Sequence, residues 1–298
     1  MRRRSRIQTA LADVGTAHFD AVDVARLQPV GQREPLGRYV SSLWGRRHFI
    51  WADSRARAFS GNRDTVLGRF WIVGRPILDG ATYFLIFGVL LGASRGVPNY
   101  IGFLLTGVFM FSFTGRALTG GSTVMSSGKT LIRAFSFPRA SIPLGLVLRD
   151  ALSMLPVLAV MMAMILAIPP HAVLTWRWLL FPAVVVLQVC FNAGLVLYTA
   201  RLTSAVPDLR MLLGLFSRLW MYGSGVMFSL ERFITHPTLL EILQLNPAYC
   251  VIELTRELLL YGTTPDLKLW LTLAAWAVIT PIFGFLYFWQ AEEEYGRE

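Results

Sequence analysis

Six runs of apolar residues, each near the roughly 20 residues a helix needs to cross hydrocarbon, constrain this chain more than any motif does. They cover 71–92, 100–120, 142–168, 176–200, 209–228 and 267–289. In lipid no water is available to pair backbone N–H and C=O groups, so each run is expected to close its own hydrogen bonds as an α-helix. The expected fold is an all-α membrane protein with six transmembrane helices. Composition agrees, with 54% of the 298 residues hydrophobic, 15% charged and a mean hydropathy of +0.52, values that belong to polytopic membrane proteins.

A net charge of +10 on a soluble domain would point to nucleic acid. Here the excess sits mainly in the first 75 residues and beside apolar runs, so anionic membrane lipid and membrane orientation explain it and no nucleic-acid partner is expected. Residues 1–52 read as an Arg-rich cytosolic tail that begins to order near Tyr39 and Trp51. The opening MRRRSR has no apolar stretch behind it, unlike a secretory signal. Over 53–70, Phe59, Val66, Leu67 and Phe70 fall on one helical face and Arg55, Asn62, Arg63 and Arg69 on the rest. That pattern predicts an amphipathic interface helix with Asp53 and Ser54 as N-caps.

Residues 71–298 then form the transmembrane domain. Six crossings bring the C-terminus back to the side of the N-terminus. The basic tail, the 126–140 loop and Arg201 with Arg210 fall on one side, leaving Arg95, Arg177, Arg232, Arg256 and Lys268 on the other. By the positive-inside rule both termini are cytoplasmic.

Between the second and third runs lies SSGKTLIRAFSFPRASIP, residues 126–143. It carries Lys129, Arg133 and Arg139 together with Leu131, Ile132, Phe135, Phe137 and Pro138. Apolar groups presented with positive charge outside the bilayer suit a docking surface for a partner. They equally suit a loop lying on headgroups, and the residues alone leave both readings open. The connection 230–266 is too long and apolar for a simple outer loop. Its two short helical runs break at Asn246-Pro247, and Glu241, Glu253, Arg256 and Glu257 rule out lipid-facing spans. A re-entrant helical hairpin on the outer side fits both facts.

Ionisable groups within spans are functional candidates by default. Arg75 with Asp79, and Arg149 with Asp150, read as ion pairs, and Arg116 as a snorkelling side chain. Arg218 lies about 15 Å along the fifth run by helix rise and is expected to face a polar cavity or a partner such as Asp79. Tyr83, Phe84, Phe87, Phe216, Trp220, Tyr222 and Phe228 are individually packing or lipid-facing residues. As a set beside Arg218 they are able to line a passage along which sugar rings slide. Gln188 and Asn192 suit interhelical hydrogen bonding, and Cys190 and Cys250 suit packing.

Nothing here supplies an enzyme's chemistry. Gly128-Lys129-Thr130 lacks the glycine a phosphate-binding loop needs, since Thr123 stands there. No His, Cys and carboxylate grouping has metal spacing, and no Ser or Cys nucleophile has a base. No metal, cofactor or catalytic residue is expected in this chain.

Three motifs carry a family resemblance. Thr65-Val66-Leu67-Gly68 with Trp71 and Pro76 resembles the signature leading into the first span of ABC-2 type permeases that export lipid-linked polysaccharides of the O-antigen and teichoic acid type. The stretch from Lys129 to Pro143 resembles that family's cytosolic coupling loop. Asn246-Pro247, followed by Ile252-Glu253 and Arg256, is similar to its outer hairpin. The resemblance spans about residues 55–290, and the Arg-rich tail looks most like the galactan-lipid exporters of mycolic-acid bacteria.

The resemblance implies a homodimeric transport subunit in the bacterial plasma membrane, paired with a separate ABC ATPase that binds ATP and Mg. The substrate would be a polyprenyl-pyrophosphate-linked glycan. Docking of the 126–143 loop on the ATPase then becomes the favoured reading, with Lys129, Leu131, Ile132, Arg133, Phe135, Phe137, Pro138 and Arg139 as coupling residues. The first and fifth helices would enclose the conduit, and Asn246, Pro247, Glu253 and Arg256 would form an outer gate. Two alternatives stand beside it: export of a drug or small lipid by the same architecture, and an integral membrane transferase using Asp79 and Asp150.

Overall fold

The computed structural model describes residues 34–60, 70–83, 85–86, 97, 99–129, 137–230, 234 and 236–296. Among them every regular element is helical. In chain order these are α1 (Leu36–Gly45), α2 (Arg47–Ser60), α3 (Phe70–Tyr83), α4 (Tyr100–Ser127) and α5 (Ser141–Ala167). A 3-10 turn (Trp176–Leu180) leads into α6 (Phe181–Ala205), followed by α7 (Leu209–Gly223), α8 (Pro237–Gln244) and α9 (Pro247–Thr255). α9 widens into a π-type turn over Arg256–Tyr261, and α10 (Leu267–Gln290) ends the bundle.

Four of the six expected spans reach full length: α4, α5, the run Trp176–Ala205 and α10 are long and apolar enough to cross a membrane. The other two are shorter over the described residues. α3 has 14 described residues, about 21 Å at the helical rise, and Phe84 and Phe87 lie outside the described residues. α7 has 15 residues and stops at Gly223, five short of the expected end at Phe228. Its continuation stays apolar, but the carbonyls of Gly225 and Val226 are taken by the Arg256 guanidinium. Gly225 adopts φ +66°, which suits glycine.

α4 is the axis of the bundle. About 72% of its apolar window is buried, against 17% for α10, so α4 is wrapped by its neighbours while α10 presents a wide face outward. Phe103, Leu104, Leu105, Phe109, Met110, Phe111 and Phe113 of α4 are all buried. α6 packs on α4 and also lies against α10. At the latter crossing Gly194 faces Gly284: a Cβ on Gly194 would stand 2.2 Å from the Thr280 carbonyl carbon, and one on Gly284 2.5 Å from the Gly194 oxygen. Only hydrogen at both positions lets the two backbones touch, the way helices commonly associate where lipid removes the hydrophobic drive.

The N-terminal helices differ from the expected boundary. α2 begins at Arg47, so residue 53 falls inside a helix and not at the start of one. Asp53 and Ser54 therefore do not cap it. Asp53 pairs with Arg57 one turn on, at 2.9 Å, and Ser54, 1% exposed, donates from Oγ to the Gly145 carbonyl of α5 at 2.9 Å. Phe59 is exposed, while Val66 and Leu67 lie outside the described residues.

Candidate functional site

The loop expected to couple is shorter than its sequence span. Ser126 and Ser127 complete α4, and Ser141, Ile142 and Pro143 open α5. Lys129 is exposed; Leu131, Ile132, Arg133 and Phe135 lie outside the described residues. Phe137 is half-buried with the Arg46 guanidinium 5.8 Å from its ring centre. Pro138 is buried. Beside them a recess of about 430 Å³ opens between α2, α4 and α5, lined by Phe49, Asp53, Arg57, Phe137 and Arg149 among others.

Arg139 is not a free docking cation. Its amide donates to Glu292 Oε1 at 2.9 Å, and its guanidinium donates to the Glu292 carbonyl. The other oxygen, Glu292 Oε2, accepts from the Tyr39 hydroxyl at 2.8 Å, and that hydroxyl accepts from the Ala140 amide at 3.0 Å. Tyr39, Ala140, Leu197, Ala200, Phe288, Ala291 and Tyr295 form the apolar cluster around this corner. Burial raises the Glu292 carboxyl above the ordinary glutamate range, although the Arg139 amide, the Tyr39 hydroxyl and the Arg139 charge oppose the rise. Burial, helped by the Glu292 charge, also pushes the Tyr39 hydroxyl well above its usual value.

The opposite end is built around Arg256, a side chain 1% exposed. Its guanidinium donates to the carbonyls of Phe103 at 3.1 Å, Gly225 at 3.0 Å and Val226 at 3.1 Å. It lies 3.2 Å from the centre of the Phe103 ring and pairs with Glu253 at 3.3 Å. A buried cation persists only when its donors are satisfied in this way. Gly107 leaves the room: a Cβ there would stand 2.8 Å from both the Arg256 guanidinium and the Val226 oxygen.

Asn246 makes the break between α8 and α9. Its Oδ1 accepts from the Ala248 amide at 3.0 Å and from Trp220 Nε1 at 2.9 Å; its Nδ2 donates to Ser224 Oγ at 2.9 Å. Pro247 then opens α9 at a position where its missing N–H costs nothing.

The expected conduit residues divide between two faces of α7. Phe216 stacks on Trp220 with ring centres 5.7 Å apart, and Trp220 turns inward, edge-on to Phe111 and Phe191. Arg218 and Tyr222, one turn apart, are both exposed on another face. Phe228 is half-buried, and the Tyr83 side chain is outside what is described. Asp79 is exposed; no ion pair joins it to Arg218 among the described residues.

Other intramembrane polar groups sort cleanly. Arg149 donates to Asp150 Oδ1 through Nε at 3.0 Å and through its terminal nitrogen at 2.9 Å. Arg116 is exposed and donates to the Met154 sulfur at 3.3 Å. Gln188 links α6 to α4, donating to the Met110 carbonyl at 2.8 Å and Thr114 Oγ1 at 3.0 Å. Asn192 does not repeat this: it is fully buried and its amide has no hydrogen-bond partner among the described residues.

Sequence reasoning missed Tyr39, Gly107 and Glu292. Glu292 stands first in a run of three glutamates, which in sequence looks like a solvated tail, and only the exposure of Glu293 and Glu294 fits that picture.

Four full-length apolar helices, one of them a buried axis, with polar locks at both ends, define a multi-pass helical membrane protein. Within that class, residues 56–260 match the family model for the ABC-2 type transporter, and the chain belongs to that family. It is 24% identical over 217 residues, covering 73% of this chain and 82% of the relative, to the O-antigen export system permease protein RfbA of Myxococcus xanthus. It is 26% identical over 200 residues, covering 67% of this chain and 75% of the relative, to the protein of the same name in Klebsiella pneumoniae.

Proposed function

We propose that this chain is the membrane subunit of an ATP-driven exporter that carries a polyprenyl-pyrophosphate-linked polysaccharide, of galactan type, out of the cytosol. It works as a homodimer with a separate ABC ATPase. The observation that carries this is the outward face of α7, where Arg218 stands exposed among Met211, Leu215, Leu219 and Tyr222. A cation midway along an apolar helix is costly in lipid. The cost disappears if the face borders a polar passage shared with a second copy, where Arg218 meets the substrate's phosphates. The relatives' names, both of O-antigen export permeases, support a glycan as cargo.

On this reading α1, α2, the 128–140 loop and the C-terminus face the cytosol, where the recess between α2, α4 and α5 takes part of the ATPase. The pair α8 and α9 is the re-entrant hairpin on the outer side. Depleting the chain in cells should make full-length lipid-linked glycan accumulate inside. Purified wild-type chain should retain an ATPase subunit, and Lys129→Glu combined with Phe137→Ala should weaken that association roughly tenfold, as loss of a small interface anchor does. Depletion without glycan accumulation would favour export of a drug or small lipid. Metal-dependent transfer activity by the chain alone would favour a transferase, for which Asp150 is poorly placed because Arg149 already holds it.

A further inference from the structure

We propose that Glu292 is a positioning residue that caps α5 from the far end of the chain and so makes the coupling loop move as one piece with α1 and the C-terminal segment. The inference rests on the exporter reading above. The first turn of any helix leaves N–H groups without intrahelical partners, and a side chain of the local sequence usually takes them. Here the first α5 amides, those of Ser141 and Ile142, turn back to the carbonyls of Pro138 and Arg139, and the N-cap residue, Ala140, has no polar side chain to serve the amides just ahead of them.

The amides of Arg139 and Ala140, in the turn that leads into α5, are met by residues from both termini. Arg139 N–H goes to Glu292, 153 positions away. Ala140 N–H goes to Tyr39, 101 positions away, and Tyr39 in turn donates to Glu292 across 253 positions. A carboxylate at a helix N-terminus is also favoured by the helix dipole. Glu292 is 7% exposed, so these contacts are made out of water, where an unmade one is expensive.

The consequence is mechanical. Arg139 and Ala140 join the loop to the 27-residue helix α5. With Glu292 in place, a push on the loop is delivered to α5, α1 and the end of α10 together. Without it, the junction frays and the push is absorbed locally.

The test uses the full chain with its ATPase. Wild type, Glu292→Ala, Glu292→Gln and Tyr39→Phe are compared in two readouts: amide exchange at Arg139 and Ala140, and export of the cell's own radiolabelled lipid-linked glycan per ATP hydrolysed by the complex. Glu292→Ala should deprotect both amides and lower glycan moved per ATP roughly five- to tenfold, within the range of coupling residues that touch neither ligand. Tyr39→Phe should deprotect Ala140 alone with a smaller loss. Glu292→Gln, which keeps the shape and an acceptor oxygen, should restore most of the coupling.

A purely structural role would lower the amount of folded complex while leaving glycan per ATP unchanged, and that result overturns the proposal. So does loss of ATPase association in Glu292→Ala. If the wild-type chain binds no ATPase at all, the exporter reading fails first, and the amide-exchange result still decides whether Glu292 caps α5.

Discussion

The two ends of the bundle solve the same problem with opposite charges. At one, a buried cation, Arg256, gathers three backbone carbonyls. At the other, a buried acid, Glu292, gathers a backbone amide and a hydroxyl. Their surroundings differ more than their chemistry. Arg256 is embedded in the main core, where Ala248, Tyr249, Cys250, Val251, Ile252, Leu254, Leu258 and Leu259 are each at most 3% exposed. Glu292 holds a smaller cluster, assembled from segments far apart in sequence. Burial is what converts a lock into a fixed point: the Arg256 end sits in the larger core, and the Glu292 end in a smaller one.

The sharpest way to break this contrast is Arg256→Ala. Three carbonyls and Glu253 would lose their donor, and breaking one partner of a buried charged cluster costs on the order of 3–5 kcal/mol. Thermal unfolding of the detergent-solubilised chain should show little folded protein, with Arg256→Lys recovering part of it, because an ammonium lacks the planar fork that serves several carbonyls at once. An Arg256→Ala chain that melts like wild type would remove the fixed point and with it the comparison.

How much of this was legible beforehand follows from where each signal resides. α4, α5, α6 and α10 are written in hydropathy, a local property, and their positions agree closely with the expected runs. Val226, Met227 and Phe228 are apolar and extend the expected α7 past its end at Gly223, while the carbonyls beyond that end go to a guanidinium 30 residues later in the chain. Arg256 reads in sequence as a motif residue on an outer hairpin, but its burial depends on Gly107 and Phe103 of α4, which no local pattern links to it. Glu292 was invisible for the same reason at greater range. Hydropathy reports which face meets lipid; it does not report which distant backbone group a charge will satisfy.

A smaller effect sharpens the contrast from within the Arg256 end. Asn246→Ala removes the α9 cap and leaves Trp220 Nε1 and Ser224 Oγ without that partner. The expected loss is about 1–2 kcal/mol, read as a lower melting temperature with the α-helical signal retained. Because Asn246 ties α7 to the α8–α9 break, exchange should rise at Ala248 and leave Arg139 and Ala140 unchanged. If Ala140 responds as well, the two ends are coupled more tightly than their separate clusters suggest.

The smallest effect belongs to the Glu292 end and depends on pH. The folded-state carboxyl is raised above its unfolded value, burial outweighing its hydrogen bonds. The folded corner therefore binds the proton more tightly than the unfolded chain does. Its contribution to stability is fully present below the ordinary glutamate value of about 4.3 and is lost as pH rises through the raised folded value. Protection factors at Arg139 and Ala140, which are already corrected for intrinsic exchange, should fall over that window in wild type and stay flat in Glu292→Gln. At the Arg256 end the protection of Phe103 and its neighbours should stay constant across the same range. A corner that tightens on raising the pH would mean that the Arg139 charge and the two donors outweigh burial, making the Glu292 end an ordinary ion-pair lock and no softer than its counterpart.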